Sequence, residues 1–402
     1  MPPQPLGRRM SREPTRREAL DQGLVVECNP SIWLASAYPH LLFPADRMGQ
    51  STMHARVPTH FVRVCALLAL AVWLFPGQTS TTFSSNSCSA GARALLCLEG
   101  SQPVYDVLYR YGHVDAPPNG AYGPNVTAPR SAWFLEYQRA GGYDLFAGVL
   151  RHEPALISEG LRILHFGLAR QTSNGAFPGS AWPFHGTAMF LSEAAPGLLI
   201  LQKSSQVSAY ADEIQWQVVR MRRAAYAMVR SVHGPGKIDD TTKTHRQFEA
   251  AIALVAVGLL SGDRTLVRWS ELYAWRSVHL QRQDGVLPED GGHDSGYQAL
   301  GMVSAARYLQ LIQPGALRDA VRRVLKRGEP WELMRIHPDG SINQNGDTRT
   351  VGCSERDPAG RCKTVFYAPV YSALAHWGAI TGDPVYDRAS RAVWLRSGYG
   401  GR

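Results

Sequence analysis

Ten consecutive residues of this 402-residue chain, Glu289-Asp290-Gly291-Gly292-His293-Asp294-Ser295-Gly296-Tyr297-Gln298, hold three carboxylates, an imidazole and a phenol. All can give or take a proton, and such density exceeds what a plain turn needs. Gly291 and Gly292 allow the backbone to turn sharply. Asp294 or Ser295 is placed to cap a helix beginning near Gly296, which sets Tyr297 and Gln298 on its first turn. A calcium loop is the alternative reading of the acids, but the spacing of an EF-hand is missing.

Three other segments carry chemistry. Trp182-Pro183-Phe184-His185-Gly186-Thr187 sets a histidine at a helix start beside two aromatic rings. His185 can shuttle a proton or, when charged, neutralise a carboxylate. Lys243-Thr244-His245-Arg246-Gln247 opens another helix, with Thr244 as its expected N-cap. Cations there oppose the helix macrodipole, which argues for a purpose other than stability, and Arg246 can grip a carboxylate with two parallel hydrogen bonds. The fourth segment runs from Asn343-Gln344-Asn345-Gly346-Asp347-Thr348-Arg349 through Cys353-Ser354-Glu355-Arg356 and Cys362-Lys363 to Tyr367 and Tyr371. Each also has a bland reading: a capping loop, a solvated basic helix start, or a stapled surface loop. Walker A, strand-linked GxGxxG, HExxH and GxSxG motifs are all missing.

These segments sit between helices. Apolar residues recurring at three and four predict a helix before Gln171 and others over 187–203, 208–231, 245–260, 264–281, 296–312, 315–326, 365–380 and 384–396. A further short helix is expected near Val104–Tyr111, inside a Ser/Gly/Pro/Asn-rich stretch read otherwise as linker. The turns repeat. Asn174-Gly175, Asp284-Gly285 and Asp339-Gly340 each lead into a small and then an apolar residue. Their glycines lie 110 and 55 residues apart, so a fourth copy is expected near 230, where Gly234-Pro235-Gly236 stands. Ser261-Gly262-Asp263 and Thr381-Gly382-Asp383 echo one another between helices. A period near 55 residues fits a helix pair plus its loops, stacked into a solenoid or a closed ring.

Val64 to Phe75 is a twelve-residue apolar run preceded by Arg56 and Arg63, too short to span a bilayer and suited to a signal-peptide core. Met53 then becomes a possible start, and export, to a periplasm or the medium, is expected. The organisation anticipated is a leader over 1–77, a linker and N-terminal segment over 78–130, and one helical domain over 131–402. Four cysteines follow the leader, in two pairs each nine apart. In an exported chain they read as disulfides; Cys88–Cys97 with Cys353–Cys362 is the simplest of three connectivities. The spacings do not suit zinc. The composition is globular, 45% hydrophobic and 19% charged. The net charge of +9 favours an anionic partner. No compact basic patch with interleaved aromatics points to nucleic acid, and no stable membrane span is expected in the mature chain.

With the stretches Gly179 to Phe190, Thr244 to Gln247 and Gln283 to Gln298, the chain resembles the α/α-toroid enzymes that act on polysaccharides, which include polysaccharide lyases and some glycoside hydrolases. The resemblance covers about residues 130–400 and implies an all-α fold, an (α/α)-toroid or incomplete toroid of helix hairpins. It implies a lyase that cleaves an acidic, uronate-containing polysaccharide by β-elimination. His185 and Tyr297 are then the expected base and acid, and His245 and Arg246 the expected neutralisers of the substrate carboxylate. Arg356 is a reserve. Trp182, His293, Gln298, Tyr367 and Tyr371 are expected substrate contacts. No cofactor is required, though calcium serves some relatives. A hydrolase would instead draw its paired carboxylates from Glu289, Asp290, Asp294 and Glu355. A third alternative is a helical solenoid that binds glycan without cutting it.

Overall fold

The computed structural model describes residues 91–101, 116–127, 133–180, 183–231, 242–355 and 362–398. Among them are eleven α-helices: α1 Ala92–Glu99, α2 Ala140–Arg151, α3 Pro154–Leu168, α4 Pro183–Gln202, α5 Ala211–Ser231, α6 His245–Ser261, α7 Arg264–Leu280, α8 Ser295–Leu311, α9 Ala316–Leu333, α10 Tyr367–Thr381 and α11 Pro384–Arg396. Extended pieces among the described residues pair only as isolated bridges. The all-α expectation therefore holds. The leader, the expected helix near 104–111 and the turn copy near 230 lie outside the described residues.

After α1 the helices pair as hairpins, α2/α3 to α10/α11, and the two helices of a pair differ in kind. In α6 nearly every residue from His245 to Gly258 is buried, so this helix is apolar all round and sits inside. Its partner α7 buries only Leu266, Ser270, Tyr273, Ala274 and Ser277, one face at three- and four-residue spacing. The same contrast separates α4 from α5 and α10 from α11. Helix α4 is also long and apolar enough to cross a membrane, but it is buried in the core.

Each first helix packs on the next: α2 on α4, α4 on α6, α6 on α8, α8 on α10. The second helices form an outer layer. The short α1 touches α2, α4, α8 and α10. Five helices in a straight row, spaced about 9 Å apart, would set α2 and α10 roughly 36 Å apart, while eight residues of helix span about 12 Å. The row therefore bends around α1. Residues 92–99, expected within a linker, are thus part of the core.

Buried charges hold α1 in place. Arg307 of α8 donates from Nε to Glu99 of α1 at 2.6 Å, and from Nη1 to both carboxylate oxygens of Glu193 of α4 at 2.8 and 2.7 Å. His376 of α10 stands 3.5 Å from Glu99. Burial alone would raise the Glu99 carboxyl; Arg307 and His376 outweigh it and hold it at about 2.

The repeat is visible in the turns. Asn119, Asn174, Asp284 and Asp339 each accept, at Oδ1, the backbone N–H two residues on, at 3.0 to 3.2 Å. The following glycines, Gly120, Gly175, Gly285 and Gly340, have φ between 78° and 95°. Each glycine also presses on a carbonyl of the second helix of the hairpin it introduces. A Cβ there would lie 2.0 to 2.3 Å from the oxygens of Arg162, Arg223, Arg327 and Ala392 respectively. Only glycine meets both demands. Gly120 is a copy missing from the expectation, and it stands 55 residues before Gly175. The second echo is structural too: Gly262 and Gly382 end α6 and α10 in the left-handed conformation, and Asp263 and Asp383 cap α7 and α11.

Candidate active site

Three rings from three consecutive first helices line up at the N-terminal ends of those helices. His185 lies in the first turn of α4, His245 opens α6 and Tyr297 lies in the first turn of α8. The His185 and His245 ring centroids are 6.4 Å apart, and those of His245 and Tyr297 are 4.9 Å apart. Residues more than a hundred positions apart in sequence thus converge because the hairpins repeat and the first helices pack side by side.

Glu289 builds the start of α6. Its Oε1 accepts from the backbone N–H of His245 at 3.2 Å and stands 2.7 Å from His245 Nδ1. The carboxylate thus caps the helix, which Thr244 does not: the Thr244 hydroxyl donates to the Pro288 carbonyl. A carboxylate partner places the His245 proton on Nδ1 and leaves a lone pair on Nε2. Burial lowers the His245 pKa, and Glu289 opposes that shift. Glu289 is wholly buried.

Asp294 caps α8, accepting from the Tyr297 N–H at 3.2 Å, and its other oxygen accepts from the Arg349 N–H at 3.2 Å. Burial, with Asp347 nearby, raises its carboxyl to about 6. Both Glu289 and Asp294 are therefore committed to backbone groups, and neither is open to solvent.

Arg349, on the 343–355 segment, closes the site. Its Nε donates to Glu355 at 2.8 Å and its Nη1 stands 3.6 Å from Glu289. Its guanidinium carbon lies 3.7 Å from the Tyr297 ring centroid. Tyr297 is 0% exposed and its hydroxyl has no hydrogen-bond partner among the described residues. Burial raises its phenol, with Arg349 opposing, so it is protonated at neutral pH. Lys363 pairs with Glu355 and stands 5.9 Å from the same ring. Burial, and Arg349 beside it, lower the Lys363 amine to about 6. The Cys353–Cys362 disulfide ties the two sides of this cover together.

Behind the ring row lies Glu249, one turn into α6. Its Oε2, which has no hydrogen-bond partner, faces the equally unpartnered Nδ1 of His185 at 3.7 Å. Burial, against the pull of Arg246, raises the Glu249 carboxyl to about 8. Burial, with Arg246 and His245 adding to it, lowers His185 well below its ordinary value, so this imidazole is neutral.

Several expected residues stand elsewhere or do other work. Gln298 clamps the repeat turn, accepting from the Leu287 N–H and donating to the Gly285 carbonyl, and is wholly buried. Tyr371 packs on Trp394 between α10 and α11, with ring centroids 4.8 Å apart. Both side chains take part in the packing of the fold. Tyr367 begins α10, half-buried against the core. His293 sits at the rim, its Nε2 3.2 Å from the Asn345 carbonyl and its ring 5.3 Å from Trp331. Arg246 is buried in the first turn of α6. Trp182, Arg356 and Cys88 lie outside the described residues; Cys97 is disulfide-bonded. Among the described residues no group of three or more His, Cys, Asp or Glu side chains is arranged to hold a metal.

Glu249 and Arg349 gained no role from the sequence. The signal for Glu249 was a lone carboxylate inside an otherwise apolar helix, Phe248-Glu249-Ala250-Ala251-Ile252. No protein-family model matches the chain, and no curated protein or solved structure matches it either.

Proposed function

We propose that this chain is an exported polysaccharide lyase that cleaves an acidic, uronate-containing polysaccharide by β-elimination. The observation that carries the reading is the contiguous row of His185, His245 and Tyr297 at the ends of parallel inner helices, with Arg246 and Arg349 beside it. The bent row of hairpins suits an incomplete (α/α)-toroid, in which such helix ends face the substrate cleft. The Cys353–Cys362 disulfide suits an oxidising compartment.

In this reading Arg246 and Arg349 meet the C6 carboxylate of the uronate, and their positive charge makes the proton on C5 acidic. His245, its Nδ1–H anchored on Glu289, takes that proton on Nε2. The electron pair of the C5–H bond forms the C4–C5 double bond as the C4–O bond breaks. Tyr297, kept protonated by burial, gives its proton to the leaving oxygen. The roles differ from the sequence expectation in two respects: Glu289 fits His245 to be the base, which leaves His185 for the substrate carboxylate, and Arg349 joins Arg246 there from its place over Tyr297.

A hydrolase would need two carboxylates beside the scissile bond. Glu289 and Asp294 are both buried and bound to backbone N–H groups, and the more exposed Asp290 and Glu355 are paired with Lys243 and with Arg349 and Lys363, which weighs against that use. A solenoid that only binds would have no use for two neutral histidines beside a buried phenol whose hydroxyl is unpartnered among the described residues.

The test is absorbance of the unsaturated uronate, measured on the full chain with glucuronan, alginate, pectate and glycosaminoglycans. A rise with one of them establishes elimination and names the substrate. New reducing ends without absorbance would replace the lyase with a hydrolase. Tight binding with neither signal would make the chain a glycan-binding module.

A further inference from the structure

The His185–Glu249 pair has a function that the elimination scheme leaves unassigned. Glu249 is 2% exposed and lies on α6 one turn below His245. Its Oε2 and His185 Nδ1 are each without a hydrogen-bond partner and face one another at 3.7 Å, a small rotation short of a hydrogen bond. Two buried polar atoms aimed at each other and otherwise unsatisfied share whatever proton is there.

We propose that Glu249 is a positioning residue that decides which nitrogen of His185 carries the proton, and so whether His185 offers the substrate carboxylate a hydrogen-bond donor or a lone pair. This rests on the reading of the site as one for an anionic uronate. With Glu249 protonated, its O–H donates to His185 Nδ1, and the imidazole proton sits on Nε2. The neutral ring then presents an N–H to a carboxylate. When Glu249 loses its proton, the carboxylate takes a hydrogen bond from Nδ1–H, and Nε2 turns a lone pair toward the substrate. In that change the Glu249 O–H and His185 Nε2–H bonds break, an Nδ1–H bond forms, and one proton goes to solvent.

The charges around the pair favour the donor state at neutral pH. His185 is faced by Arg246, His245, Arg349 and Arg139, which disfavour a second proton on the ring. Glu249 is faced by Arg246 and Arg139, which favour its ionised form, and by Glu193 and Glu289, which oppose it. Burial exceeds these in effect and keeps Glu249 protonated until about pH 8.

The experiment is nitrogen NMR of histidine-labelled full-length protein between pH 6 and 9.5, with the His185 signal assigned by its loss in His185→Gln. The proposal expects the His185 proton to move from Nε2 to Nδ1 with a midpoint near 8. In Glu249→Gln, whose amide copies the protonated acid, the Nε2–H form should persist across the range. A wild-type ring with one tautomer throughout, or the same transition in Glu249→Gln, would overturn it. Beyond the His185→Gln protein used for assignment the wild-type arm needs no variant to fold, and neither arm needs turnover, so an absence of elimination leaves this result standing. Where elimination is found, the wild-type KM should rise above pH 8 with kcat little changed, and the KM of Glu249→Gln should not. A KM with equal pH dependence in both proteins counts against the proposal.

Discussion

The guanidinium carbon of Arg349 lies 3.7 Å from the Tyr297 ring centroid, while among the described residues the hydroxyl of that tyrosine has no hydrogen-bond partner. A cation over an aromatic face is stabilising, more so where water is excluded. Burial keeps the phenol protonated against the pull of Arg349, and its O–H is unspent. Tyr297→Phe therefore removes nothing that the fold uses. On the proposed scheme it should lower kcat by about 100-fold or more, the range of a lost proton donor, with an unchanged melting temperature. Retained turnover would dismiss Tyr297 as the acid.

Arg307 is the centre of the buried charges between α1, α4 and α10. Arg307→Met keeps the length of the side chain but leaves Glu99 and Glu193 buried without their cation. Breaking such a pair costs about 3–5 kcal/mol. Thermal unfolding followed by circular dichroism should show a large fall in midpoint, and the double variant Arg307→Met with Glu193→Gln should recover part of it.

Glu329 and Glu332, three residues apart on α9, are wholly buried, and none of their four carboxyl oxygens has a hydrogen-bond partner among the described residues. Burial raises Glu329 to about 8 and Glu332 well above its ordinary value. Both keep a proton in the folded state that the unfolded chain loses near 4.5. The folded protein thus binds more protons, and stability should decline as pH rises above 4.5 on their account, the Glu329 share levelling off near 8. Glu329→Gln, which cannot ionise, should flatten the decline. Denaturant midpoints of both proteins at pH 5 and pH 8 check this; an equal fall in both would remove Glu329 from the account.

Gly285→Ala places a methyl group 2.3 Å from the Arg327 carbonyl at a residue with φ of 95°. The loss should be at least about 1 kcal/mol, since the new side chain fits neither the conformation nor the space. Gly262→Ala is the control: its φ is also positive at 69°, but no atom lies within 4 Å of the new methyl. It should cost less, as read from urea midpoints.

Much of this was legible in the sequence because period and chemistry were local. Helices α4 to α8 begin and end close to where their apolar spacing puts them. Asp294 caps α8 as its position suggests. The stop of α9 at Leu333 was not legible: the apolar spacing fades after 326, and the buried face that continues it uses Glu329 and Glu332. Helix α1 was hidden because Glu99 finds its partner more than two hundred residues away. Glu289 reads as an acid for catalysis until its contact with the His245 backbone makes it a cap. Gln298 and Tyr371 look like ligand contacts by residue type, and only packing shows that the fold has taken them.

The turn glycines carry one more consequence, for the order in which the chain can form. Gly120 closes on Arg162, Gly175 on Arg223, Gly285 on Arg327 and Gly340 on Ala392. Every turn is thus completed by residues 42 to 52 positions downstream, never by those already made. At about 5–20 residues per second, a ribosome holds each turn open for some seconds before its partner helix emerges. The molecule is therefore assembled as a queue in which each unit waits for its own second half, the turn at Gly340 closing only once Ala392 has emerged.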